Sequence, residues 1–379
     1  MPFKSKGYEN SIDSVVILIL YLSVYLKDLG SLFINSSSVI IILIIGCGVG
    51  ITRIFFKTLA GIKLWPNSFN IIAIFSVFWI VSFVFTQIPN FSSYYLSILI
   101  AFIIINTNPR LFIIILLIHF LISISIQSYE YISGQYFFIY EANDGTLLDE
   151  SLFGGSLDIF RAKGLFQGPL SAVAFSFWIV FLLGGNLLAC SLLFLSSFFG
   201  AGRLGIFVSL LLFLVSYFNF NKNIKYKYIY LIIIVSILAL IFSYGDEIKT
   251  NFLVDAFNID NDQNYSRIEF WLSSLNYYLN YNLNEIIFGK YGFILFKEGG
   301  TENDFLRILL DCGLSIFLIY FSSIVYCAYN SSIKKNWFNL FLIILIFFIM
   351  NIFPFIQSLA SGILFWLFYF YIIKIGNKK

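Results

Sequence analysis

Three arginines and one glutamate stand where this chain could do chemistry. Arg161 occurs in IFRAKGLFQGPLS, Arg203 in FFGAGRLGIF and Arg267 in NYSRIEFW, while Glu302 belongs to the polar stretch TENDFLRILLDCGL. A guanidinium keeps its charge at physiological pH and offers a planar fork that pairs bidentately with phosphate oxygens. Three of them converging would suit a diphosphate. A carboxylate beside them could orient an attacking hydroxyl and accept its proton. Lys163 and Gln167, close to Arg161, and Asn303 and Asp304, next to Glu302, are the expected substrate-binding neighbours.

Each of these residues also has a plainer explanation. Single arginines at a membrane surface pair with lipid headgroups, or with nearby acids such as Asp158 and Glu269. Thr301 with Asp304 three residues on resembles a capping box, and acidic residues in a first turn favour the helix dipole. Capping and catalysis therefore both stand as readings of Glu302. Arg307 and Asp311 have the i,i+4 spacing of a structural ion pair that would ease their passage into a bilayer.

His119, the only histidine, sits in the middle of an apolar run, LLIHFLI. A polar group at that depth is a functional candidate by default, but a neutral imidazole bonded to a neighbouring helix is the preferred reading. One histidine leaves no histidine-rich metal site, and the carboxylates lack the spacing of a calcium loop. No metal and no cofactor are expected. Neither a Ser-His-Asp nor a Cys-His nucleophile arrangement is supported.

The elements that must position these groups lie in a membrane. Of 379 residues 60% are hydrophobic and 11% charged, with a mean hydropathy of +0.90, whereas a soluble domain is about one quarter charged. Apolar runs of the length that crosses a hydrocarbon layer of roughly 30 Å recur along the chain. No alternating barrel pattern is seen, so the expected fold is an all-α integral membrane protein, a polytopic helical bundle of about twelve transmembrane helices. The spans are read at 12–31, 37–56, 68–86, 91–106, 110–128, 166–183, 187–202, 204–220, 228–244, 304–329, 337–353 and 356–374. The fourth and seventh are short, which keeps the count between ten and twelve.

Orientation follows from the basic residues of the short connections. With a cytoplasmic N-terminus, the inside segments hold Lys4, Lys6, Arg53, Lys57, Lys63, Arg110, Lys222, Lys225, Lys227, Lys334, Lys335, Lys374, Lys378 and Lys379, more than half of the 23 basic residues. Both termini are thus expected in the cytoplasm, and the first apolar run is read as an uncleaved first helix. Residues 1–379 form one polytopic domain in this reading, with two large polar loops, 129–165 and 245–303, facing outward. Such loops concentrate function. The second holds SRIEFWLSSLNYYLNY, with Ile268, Trp271, Leu272, Leu275, Tyr278 and Leu279 at helical spacing, as an amphipathic helix on the outer membrane surface or capping the bundle would have them.

Cys47, Cys190, Cys312 and Cys327 fall in or beside spans with no paired spacing, so neither disulfides nor a thiolate metal site is indicated. A net charge of +3 gives no footprint for nucleic acid. Tyr94, Tyr95, Tyr226 and Tyr228 stand at span ends, where interfacial aromatics belong.

The motifs follow one another in a fixed order, from Arg-x-x-Gly-x-Phe (Arg161 to Phe166) to Gly-Arg-Leu-Gly (Gly202 to Gly205), then a long loop with Arg267 and Trp271. EIIFGKYGF (Glu285 to Phe293) and Asn-Asp-Phe-Leu (Asn303 to Leu306) complete it. This order is similar to that of the O-antigen polymerase and O-antigen ligase superfamily of bacterial membrane glycosyltransferases. The resemblance covers about residues 150 to 330; the first five spans match only in hydropathy. It implies transfer of a glycan from an undecaprenyl-pyrophosphate carrier at the outer face of the plasma membrane. Arginines would hold the pyrophosphate without a metal, a role that falls by motif order to Arg161, Arg203 and Arg267. The acceptor would be another carrier-linked repeat unit in a polymerase, or the lipid A core in a ligase. A chain-length regulator and a flippase are the expected pathway partners, beside the membrane lipids.

In the ligase branch a histidine precedes the position of Asn303, with nine further residues before a Gly-containing turn. This chain keeps Asn303 and Gly313 but has Glu302 in place of the histidine, and Ile316 where a second small residue is common. A histidine-dependent mechanism does not carry over, so polymerase is the preferred expectation. A lipid-linked sugar flippase is the rival from another class, but it would need polar groups near the midplane, where the spans show little besides His119. A non-enzymatic envelope scaffold would not require clustered arginines.

Overall fold

The computed structural model describes residues 11–25, 36–65, 68–87, 92–138, 140–141, 147–148, 161–166, 168–184, 187–200, 203–219, 262–290, 303–352 and 355–377. Helices are α1 (Ser11–Tyr25), α2 (Ser36–Leu59), α3 (Ser68–Thr86), α4 (Ser93–Asn106), α5 (Pro109–Ser133), α6 (Pro169–Leu182), α7 (Leu187–Phe199), α8 (Arg203–Asn219), α9 (Asp262–Leu279), α10 (Leu283–Phe288), α11 (Asp304–Ile333), α12 (Trp337–Ile352) and α13 (Leu359–Asn377). Extended structure among the described residues is one two-residue antiparallel ladder, β1 (Tyr140–Glu141) with β2 (Leu147–Leu148).

By length and composition α2, α3, α5 and α11 are long and apolar enough to cross a bilayer, and seven shorter helices are also apolar. The fourth and seventh expected spans are indeed short, at 14 and 13 residues. The ninth expected span, 228–244, lies outside the described residues. Much of the apolar surface faces away from the protein. On α3 the buried residues are Ser68, Phe75 and Ser82, a narrow seam repeating every seventh position, while Phe69, Ile74, Val77, Ile80, Val84 and Phe85 are exposed. A surface of that kind needs lipid around it.

Contacts divide the chain into two compact units, residues 1–113 with 262–379 and residues 114–261, with the boundary inside α5. In the first unit α4 packs on α13 and α11 on α12. Apolar association gains little when the alternative solvent is lipid, so helix pairing rests on close packing and internal hydrogen bonds. A Cβ on Gly362 would come 2.8 Å from the Ser97 Cβ, which is how closely α13 approaches α4. Beside it the Tyr320 hydroxyl donates to the Tyr94 carbonyl at 3.0 Å and accepts from the Trp366 indole at 3.0 Å. At the other end of α4, Asp13 is fully buried between Arg53 Nε at 2.9 Å and Lys57 Nζ at 2.8 Å, and Lys57 also donates to the Asn106 carbonyl.

In the second unit α6, α7 and α8 run in sequence order, with α7 packed on both neighbours. Helix α6 opens with Pro169 after an extended Gly168, a position where the missing amide costs nothing. From Ala172 to Leu182 every residue of α6 is buried, as befits a helix that is hydrophobic on all sides. The Ser176 hydroxyl donates to the Ser196 hydroxyl of α7 at 2.8 Å.

Two local expectations change. Helix α11 is capped by Asn303, whose side chain accepts the Leu306 amide at 3.0 Å, while Thr301 of the expected capping box lies outside the described residues. Nor is α11 continuous: Gly313 has φ 72° and ψ −177° and breaks it after Cys312. The expected Arg307–Asp311 pair is present, with Nε 3.7 Å from the carboxylate.

Candidate functional site

The stretch RAKGLF is the most heavily anchored of the motifs. Helix α5 presents His119, Ser123, Gln127 and Glu130 at i, i+4, i+8 and i+11, all on one face and all buried. Each of the four receives part of residues 161–166. The Glu130 Oε2 accepts the amides of Lys163 and Gly164, both at 2.8 Å, and its Oε1 accepts the Phe137 amide at 3.0 Å. The Gln127 amide reaches the Ala162 carbonyl at 3.5 Å, and the Ser123 hydroxyl accepts the Leu165 amide at 3.2 Å. The ring of Phe166 packs, tilted, with its centre 5.3 Å from that of His119 and 5.0 Å from that of Phe175.

Gly164 makes this docking possible. Its φ of +62° lies in the left-handed region, which an ordinary side chain resists. A Cβ there would also stand 2.5 Å from Ser123 Oγ and 2.7 Å from the Ser123 carbonyl oxygen. The glycine of the motif is therefore explained by its contact with α5.

The anchored segment carries Arg161 to a defined place. The Ala162 amide donates to the Phe199 carbonyl at 3.0 Å, and Arg161 Nε donates to the Gly200 carbonyl at 3.3 Å. Tyr136 donates its hydroxyl to the Arg161 carbonyl at 3.2 Å. Arg161 thus meets Gly200, three residues before Arg203 in the chain, where α8 opens. Gly205, in the first turn of that helix, lies so close to α7 that a Cβ would come 2.7 Å from the Ser197 Cβ. The structure thus places Arg161 on Gly200, just after α7.

Lys163, expected to bind substrate, is fully buried, with its ammonium 4.4 Å from the centre of the Tyr136 ring. Burial lowers its pKa from the usual lysine range, and the Glu130 carboxylate partly restores it. Its placement gives Lys163 a part in holding the segment down.

Arg267, Asn303 and Asp304 belong to the other unit. Arg267 lies on α9, which packs against α11. Asn303 caps α11, and its amide nitrogen donates to the Asn351 carbonyl at the end of α12 at 2.9 Å. Asp304 is buried, and its Oδ2 accepts the amides of Phe355 and Ile356 at 2.8 and 2.9 Å. Both side chains therefore tie the start of α11 to the α12–α13 turn. Glu302 and Gln167 lie outside the described residues.

The two later motifs meet each other. A Cβ on Gly289 would stand 2.5 Å from Asp311 C and from Gly313 N, and one on Gly313 would stand 2.5 Å from Ile287 C. Lys290 donates its amide to the Leu310 carbonyl at 2.8 Å, and Ser315 donates its hydroxyl to the Ile287 carbonyl. The first unit thus joins EIIFGK to the break in α11 through two glycines of positive φ, 78° and 72°.

The polar face of α5 was missed in the sequence reading, which took His119 alone. Its signal is the recurrence of Ser123, Gln127 and Glu130 at one-turn steps from His119 inside an apolar run. No group of three or more potential metal ligands occurs among the described residues.

The fold and these sites define an all-helical protein with several helices apolar enough for a membrane. No protein-family model matches the chain, and no curated protein matches it either.

Proposed function

We propose that this protein is a membrane glycosyltransferase that polymerises undecaprenyl-pyrophosphate-linked oligosaccharide repeat units into a surface polysaccharide. In this reading twelve spans cross a bacterial plasma membrane with both termini in the cytoplasm. The loops around 129–165 and 245–303 face outward. Donor and acceptor are both carrier-linked glycans, and no metal takes part.

One observation carries the reading. RAKGLF is clamped to α5 so that Arg161 meets Gly200, three residues before Arg203 in the chain, which supports a cationic pair built for a large anion. The close contact of Gly289 with Gly313 supports treating the later motifs as parts of a single device.

The chemistry needs little more. A hydroxyl of the acceptor sugar attacks the anomeric carbon of the donor, and the bond from that carbon to the pyrophosphate oxygen breaks. The leaving group is undecaprenyl pyrophosphate, and stabilisation of its developing charge is the role that the motif order assigns to Arg161, Arg203 and Arg267. Glu302 accepts the hydroxyl proton.

Alanine at each arginine in a polymer-deficient host is expected to abolish long chains while leaving the single-repeat glycolipid. Full-length polymer from all three variants would overturn the site. Loss of the single capped repeat on gene deletion would point to a ligase, and untranslocated carrier-linked units to a flippase.

A further inference from the structure

We infer that Glu130 is a positioning residue for the transfer step, acting on Arg161 through the backbone of the RAKGLF segment; this rests on the function proposed above. A glutamate with no exposed surface, near the end of a long apolar helix, needs strong compensation. Here the compensation comes from three backbone amides, of Phe137, Lys163 and Gly164. A carboxylate can accept all three at once, which a neutral side chain of the same shape cannot.

Those bonds fix the register of the segment. Lys163 and Gly164 are held to Glu130, and Ala162, one residue earlier, is held on its other side by Phe199. Arg161 comes next, on the Gly200 carbonyl. The distance from anchor to guanidinium is therefore two residues, with no flexible link between them. Phe137 is bound to the other carboxylate oxygen, so the chain leaving α5 and the chain approaching α6 are closed on one side chain. Tyr136, next to Phe137, in turn holds the Arg161 carbonyl and covers Lys163. Loss of the anchor would release both strands of the loop together.

Glu130 does not fit a proton-transfer role of its own. Both of its oxygens are engaged by amides, and neither is exposed. What it sets is where a cation stands, and a displacement of about 1 Å at a group that stabilises a leaving phosphate costs on the order of 100-fold in rate.

The test uses the full-length protein in its native membranes with Glu130→Gln, Glu130→Ala, Arg161→Ala and, as a control on the opposite face of α5, Ser125→Ala. Trypsin cleavage between Lys163 and Gly164, read by mass spectrometry, reports the anchoring, because a buried lysine in a hydrogen-bonded segment is protected. Turnover per folded molecule and KM report the positioning. The expected result is protection in the wild type and Ser125→Ala, full cleavage in Glu130→Ala and partial cleavage in Glu130→Gln, whose remaining oxygen can still take the Lys163 and Gly164 amides while its NH2 group faces the Phe137 amide. The kcat of both Glu130 variants should fall by about 10- to 100-fold with KM little changed, as for an interaction expressed in the transition state. A lower yield of folded protein with unchanged turnover per molecule would make Glu130 a stability residue only and overturn the inference. That result beside an inactive Arg161→Ala would leave the proposed function standing. Full activity in Arg161→Ala would overturn both.

Discussion

The carboxylate of Glu130 lies 2.8 Å from the amide of Gly164, across a sequence separation of 34 residues. The Lys163 amide shares the same oxygen at 2.8 Å, and the segment that carries Arg161 lies this close to α5 because a Cβ at Gly164, which would collide with Ser123, is missing.

Gly164→Ala is accordingly expected to be disruptive. The left-handed backbone alone costs roughly 1–2 kcal/mol for a residue with a Cβ, and the collisions with Ser123 Oγ and the Ser123 carbonyl add to it. Thermal unfolding in detergent should show the loss. Ser123→Ala in the same chain should recover part of it, since the carbonyl remains at 2.7 Å. Complete recovery would mean that the backbone approach is looser than described.

Gly289 and Gly313 are expected to be non-additive. Either alanine must push the α10 turn away from the break in α11, because each Cβ would meet the other glycine's neighbourhood. Once one substitution has separated the two backbones, the second has less to displace. The double variant should lose clearly less stability than the sum of the singles, measured as a double-mutant cycle of denaturation midpoints. Simple additivity would show that the two glycines do not share one contact.

Asp304→Ala and Asp304→Asn separate architecture from substrate binding. Alanine strands the buried amides of Phe355 and Ile356, at about 1–3 kcal/mol each, whereas asparagine keeps one oxygen that both can share. The expected order of melting temperature is wild type, then Asn, then Ala. Equal stability of all three, with a raised KM for glycan, would instead return Asp304 to the substrate.

Helix α9 is expected to lie at the lipid interface. Trp271, Ser274 and Tyr278 are its less exposed side, while Leu272, Leu275 and Leu279 are exposed along another. An apolar row left open on a helix of a membrane protein suits acyl chains and headgroups. A nitroxide at Leu275→Cys should relax with oxygen, which partitions into lipid, more than with a water-soluble nickel chelate. The reverse ranking would place α9 in water or under a protein partner.

The sequence patterns that proved legible were long ones. Eleven of the twelve expected spans coincide with apolar helices among the described residues, and the amphipathic run after Arg267 is a helix, because apolar periodicity is repeated over many residues. Asn303 shows why the finer detail was harder to read. Its capping role depends on a single backbone angle and one hydrogen bond, and Thr301–Asp304 had the same local spacing. Asp304 and Lys163 looked like ligands because they are charged, and only the tertiary fold shows the amides and the ring that occupy them. The face of α5 was hidden for the opposite reason: serine, glutamine and glutamate are individually ordinary, and their common purpose lies in a segment 33 to 42 residues farther along.

The central claim is best tested by reconstitution. Purified protein in lipid vesicles, given a single undecaprenyl-pyrophosphate-linked repeat unit and a metal chelator, should yield a ladder of longer carrier-linked chains. Each new glycosidic bond should release one undecaprenyl pyrophosphate, and Arg161→Ala should yield neither product. Recovery of the single unit unchanged from folded wild-type protein, or a ladder of equal length from Arg161→Ala, would contradict the account.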